Sequence, residues 1–174
     1  NFNLTNVDEM FQQLVRSGRH PERKSDTVTV LEQLGLALDE ENDRLLRGYR
    51  DEGLPGQEIP EMIGRHLNIP SFVRAAAGGW DGGYVIAGML GHGDAFVIRD
   101  PAGIRPAYFY ADDEVAVVAS ERPAIRTALG MPACDIRELQ PGHILMIRKN
   151  AEVKEIPCIP QVEKRSCSFE RIYF

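Results

Sequence analysis

The sequence is short of cysteine. Cys134, Cys158 and Cys167 are the only three in 174 residues, and their spacing builds no disulfide framework. A sparse, odd-numbered set of that kind reads as reduced and cytoplasmic. Histidine is scarce as well. His20, His66, His92 and His143 are scattered, without the close spacing of a zinc site, and no GxSxG elbow accompanies them to suggest a serine nucleophile. No apolar run approaches the length of a membrane span; the longest lies around YVIAGML at 84–90. No signal peptide is visible. Positive charge is in deficit, with 20 Lys and Arg against 26 Asp and Glu, a formal net charge of -6. That balance argues against DNA or RNA as a partner. Internal repeats and low-complexity segments are also missing.

What is present suits one domain of ordinary size, with 43% hydrophobic residues for a core and 26% charged residues for a surface. The first half reads as helices. Asn6 with Glu9 forms a capping-box start, followed by Val7, Met10, Phe11, Leu14 and Val15 at helical spacing and by Gly18 as a stop. Ser25 is an N-cap for a second helix with Val28, Leu31, Gly35 and Leu38 as its inner stripe. DEENDRLLRGYRDEG at 39–53 reads as a third helix, acids early and arginines late. The stretch 56–79 reads as one or two short helices, broken near Pro70 and ended by Gly78 and Gly79.

From Trp80 onward the pattern turns to strands: YVIAGML, AFVIR, AYFY, VAVVAS and HILMIR, separated by GHGD, ADDE and LQPGH, with one short helix in ERPAIRTALG. Several of these strands are apolar at both odd and even positions, which predicts cover on both faces. Hairpin-length turns predict antiparallel pairing. Antiparallel strands covered on both sides, with the helices arriving as a block, predict an α+β protein with sheets inside and helices outside.

Three stretches then carry a resemblance. NFNLTN followed by a helix and SD, GHGDAFVIRDPAGIRPAYFY followed by VVASE and ELQPGHILMI, and the tail CSFERIYF resemble, in that order, the glutaminase domain of the amidophosphoribosyltransferase family and its junction to a phosphoribosyltransferase domain. The resemblance implies a four-layer αββα sandwich of the N-terminal-nucleophile hydrolase type, present in part. It divides the chain into a class II glutamine amidotransferase domain at 1–166 and the start of the junction at 167–174. The implied parent enzyme hydrolyses glutamine and passes the ammonia to phosphoribosyl pyrophosphate, giving phosphoribosylamine for purine synthesis. Its nucleophile is an N-terminal cysteine whose own α-amine is the general base. The three cysteines here are internal, so the resemblance places the nucleophile upstream of Asn1 and implies that these residues alone are inactive. Loss of the neighbouring strands would leave an edge to be covered, so a homo-oligomer is expected.

The resemblance also assigns site residues. Asn1 matches the oxyanion-hole asparagine, and the backbone N–H of Phe2 matches the second donor. Phe2 stands where the family has glycine; it resists positive φ and adds bulk. Asp26 matches the carboxylate that holds the α-ammonium of glutamine. Read without the resemblance, NFNLTN is a polar turn, and Asp26 complements a helix dipole. DPAGIRP has one glycine, too few for a phosphate nest, and reads as a turn pinned by Asp100 and Arg105. Cys167 matches a position that some family members use as one ligand of an iron–sulfur cluster. A lone thiolate holds no cluster, so no metal is expected in this chain, and Mg2+ would belong to the phosphoribosyltransferase domain. Two alternatives stay open: the same glutaminase module in a glucosamine-phosphate or asparagine synthase, and a non-catalytic binding or regulatory domain, for which Phe2 is the main ground.

Overall fold

A computed structural model describes residues 2–130, 132, 135–165, 167 and 168. The chain divides into two compact units, a helical one at 5–80 and a β-rich one made of 1–4 and 81–174. In the described residues it is a mixed α and β protein with five helices and two antiparallel sheets.

The helical unit contains α1 (Val7–Arg16), α2 (Asp26–Asp51), α3 (Ile59–His66) and α4 (Ile69–Ala77). Helix α1 carries Asp8 and Glu9 in its first turn and Arg16 in its last, and buries Met10 and Leu14. Gly18, at φ 81°, lets the chain leave it. Asn6 does not cap α1 with its side chain; its Nδ2 donates instead to the Gly79 carbonyl at 2.8 Å. This corrects the capping-box reading.

Helix α2 begins where Ser25 predicts, with its Oγ accepting from the Val28 N–H at 3.3 Å. It then runs without a break for 26 residues, so the second and third helices read from the sequence are one. Asp39, Glu40 and Glu41, which read in sequence as a fresh first turn, sit in mid-helix, and two of them are paired there. Both Glu41 oxygens take the Arg44 guanidinium at 2.8 Å, and Arg19 reaches Asp39 at 2.5 Å. The inner stripe is also displaced. Leu31 is 68% exposed, while Thr29, Val30, Ala37 and Leu45 are buried. Packing against α4 decides the facing, and Gln33 on that side accepts the Trp80 indole N–H at 2.5 Å. The next break falls at Leu67–Asn68 rather than at Pro70. Asn68 Oδ1 caps α4 by accepting from the Ser71 N–H at 3.1 Å, and Pro70 lies in the first turn, where a missing N–H removes no helical bond.

The β-rich unit contains β1 (Phe2–Leu4), β2 (Gly82–Met89), β3 (Ala95–Arg99), β4 (Tyr108–Ala111), β5 (Ala116–Ala119), α5 (Arg122–Leu129), β6 (Arg137–Glu138), β7 (His143–Ile147) and β8 (Val153–Pro157). One sheet has the order β1-β2-β3-β7-β8 and the other β5-β4-β6. Three of these strands escape the sequence reading. β1 is three residues long, FNL, β6 is two, and β8 is a charged edge strand, VKEIP. None offers an apolar alternation long enough to read.

Strand β3 buries four consecutive residues, Phe96 to Arg99, as a strand covered on both faces must. On one face, Val97 and its β7 partner Leu145 form a buried cluster with Ala107, Phe109 and Leu139 from the other sheet's region. Behind the β2–β3 turn, buried Asp94 accepts from Arg148 at 2.5 Å and from the Lys149 N–H at 2.9 Å. Burial alone would raise the Asp94 pKa, but these donors and His92 outweigh it and hold the carboxyl below its ordinary value.

The β1–β2 contact is unusually close. Gly82 has φ 136°, and a Cβ there would overlap the Asn3 carbonyl oxygen and lie 2.9 Å from Leu4 Cα. The obstacle is backbone, which cannot rotate aside. Gly82→Ala is therefore expected to lower stability by about 1–3 kcal/mol and to loosen β1 selectively. Chemical denaturation with amide hydrogen exchange at Asn3 and Gly83, the opposed pair that bonds across β1–β2, checks it; unchanged exchange at those amides would contradict the close approach.

Candidate functional site

Of the sequence-predicted site residues, Phe2 belongs to the β-rich unit and Asp26 to the helical unit. Asn1 is outside the described residues, so its expected meeting with Asp26 is outside them too. Phe2 opens β1 and stands opposite Tyr84, with Asn3 opposite Gly83 and Leu4 opposite Gly82. A strand is a favourable setting for phenylalanine and does not call for positive φ.

The register defines where the Phe2 amide points. In an antiparallel pair, opposed residues alternate between exchanging hydrogen bonds and facing outward. Tyr84 turns its backbone toward the β3 side: its carbonyl accepts from the Asp100 N–H at 2.9 Å, and its N–H donates to Asp100 Oδ2 at 3.4 Å. Tyr84 and Phe2 are therefore a pair that does not bond across β1–β2. The N–H of Phe2 faces away from β2, on the side of β1 where no strand pairs among the described residues. Tyr84 itself is buried, and burial, followed by the Asp100 charge and Cys158, pushes its phenol above the ordinary value.

Asp26 is the first residue of α2, half-buried, with Oδ1 accepting the Thr27 N–H at 3.0 Å. Among the described residues no Lys or Arg forms an ion pair with it. It has the two properties an ammonium receptor needs, an available anionic oxygen and an anchored backbone.

The turn predicted at DPAGIRP is held from its first residue. Asp100 Oδ1 accepts from the Ala102 and Ile104 N–H groups at 3.1 and 2.8 Å, and Oδ2 accepts from the Arg105 N–H at 3.0 Å. Arg99, which reads in sequence as a strand residue, also holds the turn. Its Nε donates to the Arg105 carbonyl at 2.7 Å and its Nη2 to the Gly103 carbonyl at 3.2 Å. Its Nη1 donates to Glu138 at 2.8 Å and to the Leu139 carbonyl at 2.5 Å. An Asp followed by Pro-x-Gly was the available signal for such a hub, because a short carboxylate there meets the turn's amides.

Cys158 is buried and Cys167 half-buried, both as free thiols; Cys134 lies outside the described residues. No group of three His, Cys, Asp or Glu side chains suited to a metal occurs among the described residues. Cys167 has no companions there, so these residues do not fit an iron–sulfur cluster. Among the described residues no helix is long and apolar enough to cross a membrane. A cleft of about 200 Å³ in the helical unit is lined by Gln13, Ser17, Gln33, Glu40 and others, and includes none of the predicted site residues.

The fold comes first: the backbone is similar to two solved structures. The chain matches a Bacillus subtilis glutamine phosphoribosylpyrophosphate amidotransferase, solved with ADP and GMP, with a TM-score of 0.70 at 23% identity, over 99% of this chain and 31% of that one. A structure described as the allosteric regulatory enzyme of purine biosynthesis matches with the same TM-score and identity, over 99% of this chain and 30% of that one.

In sequence the likeness is to amidophosphoribosyltransferases. The Pasteurella multocida enzyme is 29% identical over 181 aligned positions, covering 100% of this chain and 31% of the relative. The Methanothermobacter thermautotrophicus enzyme is 32% identical over 93 residues, covering 53% of this chain and 19% of the relative. No family model matches the chain. The resemblance to amidophosphoribosyltransferases therefore stands: this chain is similar to them and spans about a third of their length or less.

Proposed function

We propose that this chain forms part of the glutaminase domain of an amidophosphoribosyltransferase, with residues 1–166 in that domain and 167–174 opening the junction to a phosphoribosyltransferase domain. Its two antiparallel sheets and its helices would be layers of an αββα sandwich of the N-terminal-nucleophile type. The observation that carries this reading is sequence likeness over the whole chain to an enzyme of that name, on a backbone that matches solved members at a TM-score of 0.70.

In this reading a cysteine thiolate attacks the side-chain amide carbon of glutamine and its α-amine takes and returns the proton. The tetrahedral oxyanion is held by Asn1 Nδ2 and the Phe2 N–H; the outward aim of that N–H supports the role. Collapse expels ammonia and leaves a thioester, which water cleaves to glutamate and free thiol. Asp26 holds the α-ammonium of glutamine, supported by a carboxylate at the start of α2 that no Lys or Arg pairs with among the described residues. The reaction needs a thiol and a free α-amine on one residue, and the cysteines of this chain are internal. The ammonia would then displace pyrophosphate from phosphoribosyl pyrophosphate in the adjoining domain.

The test is glutamine hydrolysis by the protein that carries this chain, followed as glutamate and ammonia released with and without phosphoribosyl pyrophosphate. Glutamate release, with phosphoribosylamine formed when both substrates are present, is the expected result. Ammonia-independent binding of ligands with no glutamate released would favour a regulatory domain instead.

A further inference from the structure

We propose that Asp100 is a positioning residue for the Phe2 amide, acting through Tyr84. The inference rests on the glutaminase reading and adds to it a residue that touches neither glutamine nor the reacting atoms.

Strand β1 has three residues and, among the described strands, pairs with β2 alone. Its placement is therefore inherited from the β2 backbone at Gly82–Tyr84. That segment lies just past the last β2–β3 ladder pair, Val85 with Arg99, so the regular sheet does not hold it. Asp100 does. Its own N–H and its Oδ2 engage the carbonyl and the N–H of Tyr84 at 2.9 and 3.4 Å, which extends the ladder by one residue with a side chain as the second acceptor. The turn that Asp100 closes supplies a second contact. A Cβ on Gly83 would lie 2.6 Å from Ile104 Cγ2, so the Ile104 side chain rests directly on the Gly83 backbone. Residues 83 and 84 are those opposite Asn3 and Phe2.

One carboxylate thus sets both the turn and the strand segment under β1. It meets four N–H donors, from Tyr84, Ala102, Ile104 and Arg105. Asp100→Asn keeps the shape but turns one acceptor into a donor facing donors, which pushes Tyr84 or the turn away. A shift near 1 Å in a reacting geometry costs on the order of 100-fold in rate.

The experiment compares Asp100→Asn, Ile104→Ala and a control, Arg148→Met, in the whole protein that carries this chain. Arg148 serves the Asp94 turn and has no part in the β1 contact. Glutaminase kinetics are read with amide exchange at Asn3 and Gly83. The expected result for Asp100→Asn is a fall in kcat of at least about tenfold, with KM for glutamine within about twofold. Ile104→Ala should fall in the same pattern by less, exchange at Asn3 and Gly83 should accelerate in both, and the control should show neither. Should Asp100→Asn fail to fold, Ile104→Ala decides the matter alone. The inference is overturned by faster exchange with unchanged kcat, by KM rising in step with the loss, or by an equal kcat loss in the control at matched Tm. An unsubstituted protein that releases no glutamate removes the glutaminase reading and this inference together, whereas an active one with any of the preceding outcomes removes the inference alone.

Discussion

Arg99→Met is expected to destabilise the β-rich unit by about 3–5 kcal/mol, the range for stripping one partner from a buried ion pair. Arg99 is 2% exposed, and its guanidinium serves four acceptors at once: Glu138 and the carbonyls of Gly103, Arg105 and Leu139. Methionine fills similar space and donates nothing, so three carbonyls and a carboxylate lose their donor. Glu138 shows what the pair contributes. Burial alone would raise its pKa; the Arg99 bond and charge, with Lys164 and Arg122, hold it below the ordinary value.

The site also joins the two sheets. Arg99 ends β3 and Glu138 lies on β6, so the loss should appear as one cooperative drop in Tm rather than local fraying. Arg99→Lys keeps the charge but not the planar fork, and should fall between wild type and Arg99→Met. Adding Glu138→Gln to Arg99→Met should recover part of the loss, because the orphaned charge is then gone. Urea unfolding of the four proteins checks this. A loss below about 1 kcal/mol for Arg99→Met would mean that the guanidinium is not the unit's keystone.

The second large effect concerns Asp26. In the protein that carries this chain, Asp26→Asn is expected to raise KM for glutamine on the order of 100-fold while kcat changes little. Removing one member of a recognised charge pair typically costs 2–5 kcal/mol, and half-burial places Asp26 toward the lower end. The carboxylate would act on the bound substrate and the transition state alike, so the loss belongs in KM. The competing account is simple dipole complementation at the start of α2. It predicts a stability loss of about 0.3–1 kcal/mol and no kinetic change. Measuring Tm and KM on one variant separates the two, and an unchanged KM would withdraw Asp26 from the site.

Helix existence was legible because local signals suffice for it. Ser25 capped where expected, and Gly18 ended α1. Extent and facing were not. Asp39, Glu40 and Glu41 look like a first turn in sequence, yet Arg19 and Arg44 pair with two of them in mid-helix. Leu31 looks like core and is exposed, because the partner helix α4 chooses the buried side. For the candidate site, Asp26 was visible as a residue, and Asp100 as the keeper of its turn. The path from Asp100 through Tyr84 to Phe2 was invisible, since it joins residues far apart in the chain.

By itself the sequence determined the succession of helices then strands, the antiparallel pairing, the acidic surface and the likeness to amidophosphoribosyltransferases. These follow from local periodicity, turn chemistry and ordered motifs, all of which act over a few residues. Only the tertiary structure decided that the tripeptide FNL becomes strand β1, that the N–H of Phe2 faces away from β2, and that Arg99 gathers the carbonyls of the turn. Each of those depends on which distant backbone groups compete for the same donors and acceptors, and that competition exists only once the sheets are assembled.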